Sequence, residues 1–120
     1  MYEIIRLPSF EGDVEKLQVK KEKLDKFIND LSKAPSYLKD AHPLKSILEP
    51  LWSADFNSDN GLLVVLYFIC DGVSGRCFRL RALQNQTYLD SKEILEHICN
   101  KKRVYLCRIA RHNIYNIIKK

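Results

Sequence analysis

The chain has 120 residues, 46% of them hydrophobic, with only four glycines and four prolines. This composition excludes disordered and collagen-like proteins, and the length predicts one domain with a single core. The net charge of +5 is uneven, because residues 1–71 carry 9 basic against 12 acidic side chains, and residues 72–120 carry 11 against 3. The basic C-terminal half therefore offers either a face for a polyanion or a solvated surface. Met1–Leu7 shows no signal pattern, so we expect one cytoplasmic domain over residues 1–120, with no membrane partner.

The N-terminal third predicts a strand followed by two helices. Tyr2–Leu7 fits a strand that ends before Pro8, and Pro8 with Ser9 then opens a helix, with Ser9 as the expected N-cap. Apolar residues at helical spacing predict two short antiparallel helices packed on a sheet. The residues that form these stripes are Phe10, Val14 and Leu17 in the first helix, and Leu24, Phe27, Ile28 and Leu31 in the second, which ends near Ala34 and Pro35.

The middle of the chain predicts a hairpin around a central strand. Pro43 and Pro50 discourage regular structure, so the segment His42–Lys45 is expected to be a loop. Leu51–Phe56 fits a strand that pairs with Gly61–Cys70 across a polar turn. The run Gly61–Cys70 is rich in β-branched and aromatic residues between turn formers, which predicts a central strand buried on both faces.

The C-terminal half predicts a strand at Cys77–Leu83, a helix opened by a capping box at Asp90–Glu93, and a strand at Val104–Ile109. Ala110–His112 breaks that strand, and Asn113–Ile118 fits a helical turn. The expected fold is α/β (α+β), with two N-terminal helices on a mainly antiparallel sheet of about four strands and an extra helix before the last strand. Cys70, Cys77, Cys99 and Cys107 lack CxxC or metal spacing, so we expect buried free thiols, no metal and no cofactor.

This order of elements resembles the RelE/ParE superfamily of bacterial type II toxins, in its RelE/YafQ-like branch. The matching pieces are YEIIRL before a helical pair, Ala34-Pro35, His42-Pro43-Leu44, the central LLVVLYFI and the ending from Arg108 to Tyr115. The resemblance implies a RelE-like fold and a small antitoxin protein as partner. Two features depart from the family: positions where members often carry arginine hold Asp55 and Asp59 or Asn60, and the segment Arg76–Arg103 is longer than the usual hairpin.

The RelE branch resembles metal-free ribonucleases that cut messenger RNA on the ribosome through attack by the ribose 2′-OH. That reaction needs a base, a cation for the phosphate and an acid for the leaving oxygen. His112 fits the base or acid, Arg108 and Arg111 fit the phosphate, Tyr115 fits stacking or proton donation, and His42 assists from its loop. Asp55 is either a carboxylate base or an ion-pair partner. The candidates for RNA binding are Lys45, Arg79, Arg81, Lys101, Lys102 and Arg103.

Each of these residues also has a plain structural interpretation. A lone surface histidine is more often inert, Tyr115 fits the core equally well, and Arg79 with Arg81 fits a solvated strand face or an antitoxin contact. Three functions therefore stay open: a ribosome-dependent messenger-RNA endonuclease, a ParE-like inhibitor of DNA gyrase, and a non-catalytic domain that binds nucleic acid or protein. The departures from the family pattern favour the last two, while His42, His112 and the basic C-terminal half favour the first.

Overall fold

The computed structural model describes residues 1–38, 40–44, 51–59, 61–72, 100–111 and 113–114. Its elements in chain order are β1 (Glu3–Arg6), α1 (Pro8–Leu17), α2 (Lys21–Lys33), β2 (His42–Pro43), β3 (Trp52–Ser58), β4 (Gly61–Cys70) and β5 (Arg103–Ala110). The predicted strand Cys77–Leu83, the helix opened at Asp90 and most of the turn Asn113–Ile118 lie outside the described residues.

The strands form one mixed sheet in the order β1-β5-β4-β3-β2. β1 runs parallel to β5, while the other three pairings are antiparallel. β4 occupies the middle of the sheet, and its residues Leu63–Phe68 are buried, so the predicted central strand is confirmed. The α+β class and the mainly antiparallel sheet are also confirmed.

The prediction of a loop at His42–Lys45 is wrong for its first two residues. His42 pairs with Ser53 and Pro43 pairs with Trp52, which adds a fifth, two-residue strand at the edge of the sheet. Proline has no N–H to donate, but an edge strand needs hydrogen bonds on one side only. The prolines therefore shorten this strand without excluding it.

The start of α1 differs from the prediction in one residue. The helix begins at Pro8, and the N-cap is Leu7, which makes no side-chain capping bond. Pro8 suits the first helical position because its missing N–H would have no partner there. Ser9 is therefore not the N-cap; its hydroxyl donates instead to the Cys107 carbonyl oxygen at 2.7 Å.

Both helices pack on one face of the sheet. Leu24 and Leu31 of α2 join Phe10 of α1 in a core with alternate residues of β4, which include Leu63, Val65 and Tyr67. The Tyr67 hydroxyl donates to the Pro35 carbonyl oxygen at 2.6 Å, which attaches the end of α2 to the central strand. The opposite face is also buried, in two clusters: Leu7, Leu51, Phe68, Cys70, Tyr105 and Cys107, and then Val64, Leu66 and Ile114.

A β-bulge interrupts the pairing of β5 with β4. Leu66 pairs with Arg108 and Tyr67 pairs with Leu106, so Cys107 has no partner in the register. Strict alternation would place Leu106 and Ile109 on opposite faces, but both lie in the core beneath the helices. The extra residue shifts the alternation of β5 by one position at this point.

Cys70 and Cys107 are buried thiols, as expected at these two positions; Cys77 and Cys99 lie outside the described residues. Burial raises the pKa of the Cys107 thiol to about 12, so it stays protonated at neutral pH. None of the described helices is long and apolar enough to cross a membrane.

Gly72 marks the point where the chain leaves the sheet after β4. Its φ of +85° favours glycine, and a Cβ there would lie 3.1 Å from the Lys101 carbonyl carbon. Lys101 precedes β5, whose first residue Arg103 pairs with Cys70. The chain therefore leaves the described part of the sheet and re-enters it at almost the same place.

Candidate functional site

The sheet register places two of the predicted site residues in one row. His42 pairs with Ser53, Ser53 pairs with Leu66, and Leu66 pairs with Arg108. Residues that are directly opposite each other point to the same face, so His42 and Arg108 share the face away from the helices. At about 4.8 Å for each strand spacing, their backbones are about 14 Å apart. Arg108 therefore lies on the face opposite Ile109, which belongs to the core beneath the helices.

Asp55 lies on the same face, in the next row. It pairs with Val64, which pairs with Ala110 at the end of β5. The Asp55 side chain is partly exposed, and no ion pair involves it among the described residues. The predicted alternative of an Asp55 salt bridge is therefore not seen in the part of the chain that the structure describes.

The His42 ring is oriented by its own turn. Its Nδ1 lies 3.0 Å from the Asp40 carbonyl oxygen, and the side chain is exposed. A carbonyl oxygen only accepts, so Nδ1 carries the hydrogen in this bond and Nε2 of the neutral ring is left as an acceptor. His42 thus presents an acceptor nitrogen on an exposed ring.

Arg108 is held by Asp13 of α1. The guanidinium donates from Nε to Asp13 Oδ2 at 2.6 Å and from its second terminal nitrogen to Oδ1 at 2.9 Å. Asp13 Oδ2 also accepts from the Ile109 N–H at 3.1 Å. The Asp13 side chain is 13% exposed and that of Arg108 is 23% exposed, so this pair is shielded from solvent. Bidentate geometry fixes the plane of the guanidinium.

The contact of Asp13 with β5 follows from the length of β1. The parallel pairing ends at Arg6 with Leu106, which leaves Cys107–Ala110 without a strand partner on that side. The Leu7 N–H donates to the Leu106 carbonyl oxygen, and Ser9 and Asp13 then bond the next backbone groups of β5. Side chains of α1 therefore replace the missing strand.

The basic cluster Lys101–Arg103 lies at the other end of β5. Five residues separate Arg103 from Arg108, or about 16 Å along an extended strand. Arg103 pairs with Glu3 at 3.1 Å, while Lys102 lies over the ring of Tyr2 at 5.7 Å and Lys101 is exposed. The structure does not bring this cluster together with Arg108.

Arg111 is exposed just after β5. The remaining predicted site residues, His112, Tyr115, Lys45, Arg79 and Arg81, lie outside the described residues. Asp13 was missed, although it lies three residues after Phe10, beside the apolar stripe of α1. Its position at the border of the stripe, three residues from Phe10, was the available sign that Asp13 faces the sheet.

No cluster of three or more potential metal ligands occurs among the residues that the structure describes. Comparison of the chain with family models found no match. The searches of curated proteins and of solved structures also found no significant similarity.

Proposed function

We propose that this chain is a toxin of the RelE/ParE type that cleaves messenger RNA on the ribosome and is neutralised by an antitoxin protein in the cytoplasm. The observation that carries the proposal is the placement of His42, Asp55 and Arg108 on one face of the sheet. A base, a carboxylate and a guanidinium are the groups that a metal-free ribonuclease uses. The order of β1, two helices and the antiparallel strands β3, β4 and β5 supports the resemblance noted in the sequence.

In this proposal His112 accepts the proton of the ribose 2′-OH as its oxygen attacks the neighbouring phosphorus, and His42 assists from β2 by contacting the RNA strand. Arg108 stabilises the charge that develops on the phosphate oxygens, with its plane fixed by Asp13. The bond to the 5′ oxygen breaks, and Tyr115 supplies the proton to that leaving oxygen. The expected products carry a 2′,3′-cyclic phosphate and a 5′-hydroxyl.

A second candidate function is binding without cleavage, as in a gyrase inhibitor or a nucleic-acid-binding domain. The Asp13–Arg108 pair favours it, because the carboxylate already neutralises the guanidinium that the phosphate needs. The row between His42 and Arg108 favours it too, since Ser53 is 1% exposed and Leu66 is 0% exposed. The substrate would have to approach His42 and Arg108 around a covered strip of sheet.

Induction in bacterial cells separates these functions. The wild type should stop growth and cut messenger RNA on ribosomes, while Arg108→Ala, His42→Ala and His112→Ala should leave messages intact. Loss of one phosphate-stabilising group costs about 3 kcal/mol, or roughly a hundredfold in rate. Lys26→Ala, a change at an exposed position of α2, is the matched control and should cleave like the wild type.

Two results would decide against the nuclease. Growth arrest with intact messages and inhibited supercoiling by gyrase would favour the ParE-like function. Normal growth with intact messages, together with RNA binding by the purified chain, would favour the non-catalytic nucleic-acid-binding function.

A further inference from the structure

A cleft of about 440 Å³ lies where the end of α1 meets the hairpin of β3 and β4 and the residue after β5. The described residues that line it are Lys16, Leu17, Gln18, Ser58, Leu63 and Arg111. Two of these side chains are cationic, and no acidic residue occurs among the described lining residues. Leu17 supplies a half-buried apolar surface beside the two charges, while Leu63 is 3% exposed and belongs to the core.

Lys16 and Arg111 differ from most cations nearby, which have acidic partners. Arg6 pairs with Glu11, Arg108 pairs with Asp13, and both Lys20 and Lys23 pair with Asp59. No ion pair of Lys16 or Arg111 is found within the described part of the chain. Two cations that converge on one cleft without a counter-ion raise its potential and attract an anion.

A second cleft on α1 shows the opposite arrangement. It has a volume of about 620 Å³ and is lined by Arg6, Pro8, Glu11, Gly12, Val14 and Glu15. Arg6, the cation among its described lining residues, is bound by Glu11, and Glu15 adds a further negative charge. The two clefts lie on the same helix, so the charge of the first is a local property of Lys16 and Arg111.

The backbone at the end of α1 opposes this charge only in part. A helix C-terminus repels anions through its free carbonyl groups. Here Gln18 adopts the left-handed conformation, with φ of 52°, and its N–H caps the carbonyl oxygens of Val14 and Glu15. The Gln18 side chain is exposed at the cleft and adds a neutral donor.

We propose that this cleft binds a backbone phosphate of single-stranded RNA, with Lys16 and Arg111 as its ligands and Leu17 against the sugar or base. The proposal rests on the proposed function, since it places a second contact for the same RNA strand beyond Arg108. The guanidinium of Arg111 offers paired donors, and Lys16 offers a point charge. Together they would hold the strand in register without taking part in the chemistry.

The test measures binding of a fluorescent eight-nucleotide oligouridylate to the purified chain across a salt series. Lys16→Glu should weaken binding roughly tenfold, and it should lower the slope of log affinity against log salt by about 0.7, the value for one phosphate on a single strand. Lys16→Arg should bind like the wild type. Lys26→Glu is the matched control, because it makes the same change in net charge at an exposed position outside the cleft.

A double-mutant cycle with Lys16→Ala and Arg111→Ala tests whether both cations hold one phosphate. We expect the double variant to lose less than the sum of the single losses, because either change already loosens the same group. Equal losses of RNA affinity for Lys16→Glu and Lys26→Glu would overturn the proposed site. An unchanged salt slope for Lys16→Glu would overturn it as well. A wild type that binds RNA through Lys16 but cuts no message would refute the nuclease and leave the site intact.

Discussion

The two halves of β5 are held to the N-terminal part of the chain in different ways. Arg103–Leu106 is paired with β1 through a parallel backbone ladder. Cys107–Ala110 has no strand on that side and is held by the side chains of Ser9 and Asp13. A backbone ladder tolerates most substitutions, whereas a side-chain contact depends on one residue. The difference predicts that substitutions of comparable size are most costly at the Arg108 end.

The largest effect is expected for Asp13→Ala. It leaves the Arg108 guanidinium and the Ile109 N–H without their carboxylate in a partly buried place, which should cost about 2–4 kcal/mol of unfolding free energy. Urea unfolding followed by fluorescence of Trp52, the single tryptophan, measures it. Asp13→Asn keeps an acceptor for the Ile109 N–H and should lose less. Equal stability of Asp13→Ala and the wild type would show that α1 does not hold this half.

Tyr67→Phe tests the half that β1 supports. Tyr67 pairs with Leu106, is fully buried, and donates its hydroxyl hydrogen to Pro35. Removing the hydroxyl leaves a buried carbonyl oxygen unsatisfied, for a loss of about 1–2 kcal/mol. The same urea assay on the variant combined with Asp13→Asn should give additive losses, because the two sites share no partner. Strong coupling would mean that the two halves respond as one unit.

Ser9→Ala should cost about 1 kcal/mol, the net value of one hydrogen bond. It removes the hydroxyl that donates to the Cys107 carbonyl oxygen at the bulge. Hydrogen exchange measured by NMR should accelerate more at Ile109 than at Val104 relative to the wild type, because the loss of stability is confined to the half without β1. Uniform acceleration along β5 would contradict the division into two halves.

The smallest effect on stability is expected at Asp59, an exposed acidic residue that is paired with two lysines. Lys20 and Lys23 both bond Asp59, and these bonds lower the pKa of Asp59 to about 2. A lowered pKa means that the unfolded chain binds more protons between pH 4 and pH 2, so the stabilisation is complete above about pH 4 and is lost as the pH falls toward 2. Asp59→Asn should therefore flatten that part of the stability curve.

Salt provides the control for Asp59, since exposed charges are screened at high ionic strength. The wild type and Asp59→Asn should converge in 1 M salt, while the loss from Asp13→Ala should persist. Equal acid sensitivity of the wild type and Asp59→Asn at low salt would show that the pair contributes nothing to stability.

Periodicity predicted the elements that bury a regular stripe. Gly61–Cys70 was identified as the central strand because a run of β-branched and aromatic residues between turn formers is typical of a buried strand. Phe10, Val14 and Leu17 likewise placed α1 on the sheet. These features depend on near neighbours in the sequence, so one chain is enough to find them.

The contacts that arrange the candidate site depend on distant residues and escaped the prediction. Asp13 and Arg108 are 95 positions apart, and neither residue identifies the other. The bulge at Cys107 cannot be recognised in the sequence, because the residues VYLCRI are typical of a regular strand. Ser9 met the usual rule for a helix cap, but the open edge of β5 takes its hydroxyl instead. Tertiary contact overrides local preference at each of these positions.

The approach of Gly72 to Lys101 has a consequence for how this chain can vary. The two ends of the connection between β4 and β5 lie side by side, so its length does not affect the pairing of Cys70 with Arg103. The sheet can therefore accept insertions or deletions between these two residues, and diversity among relatives should concentrate there.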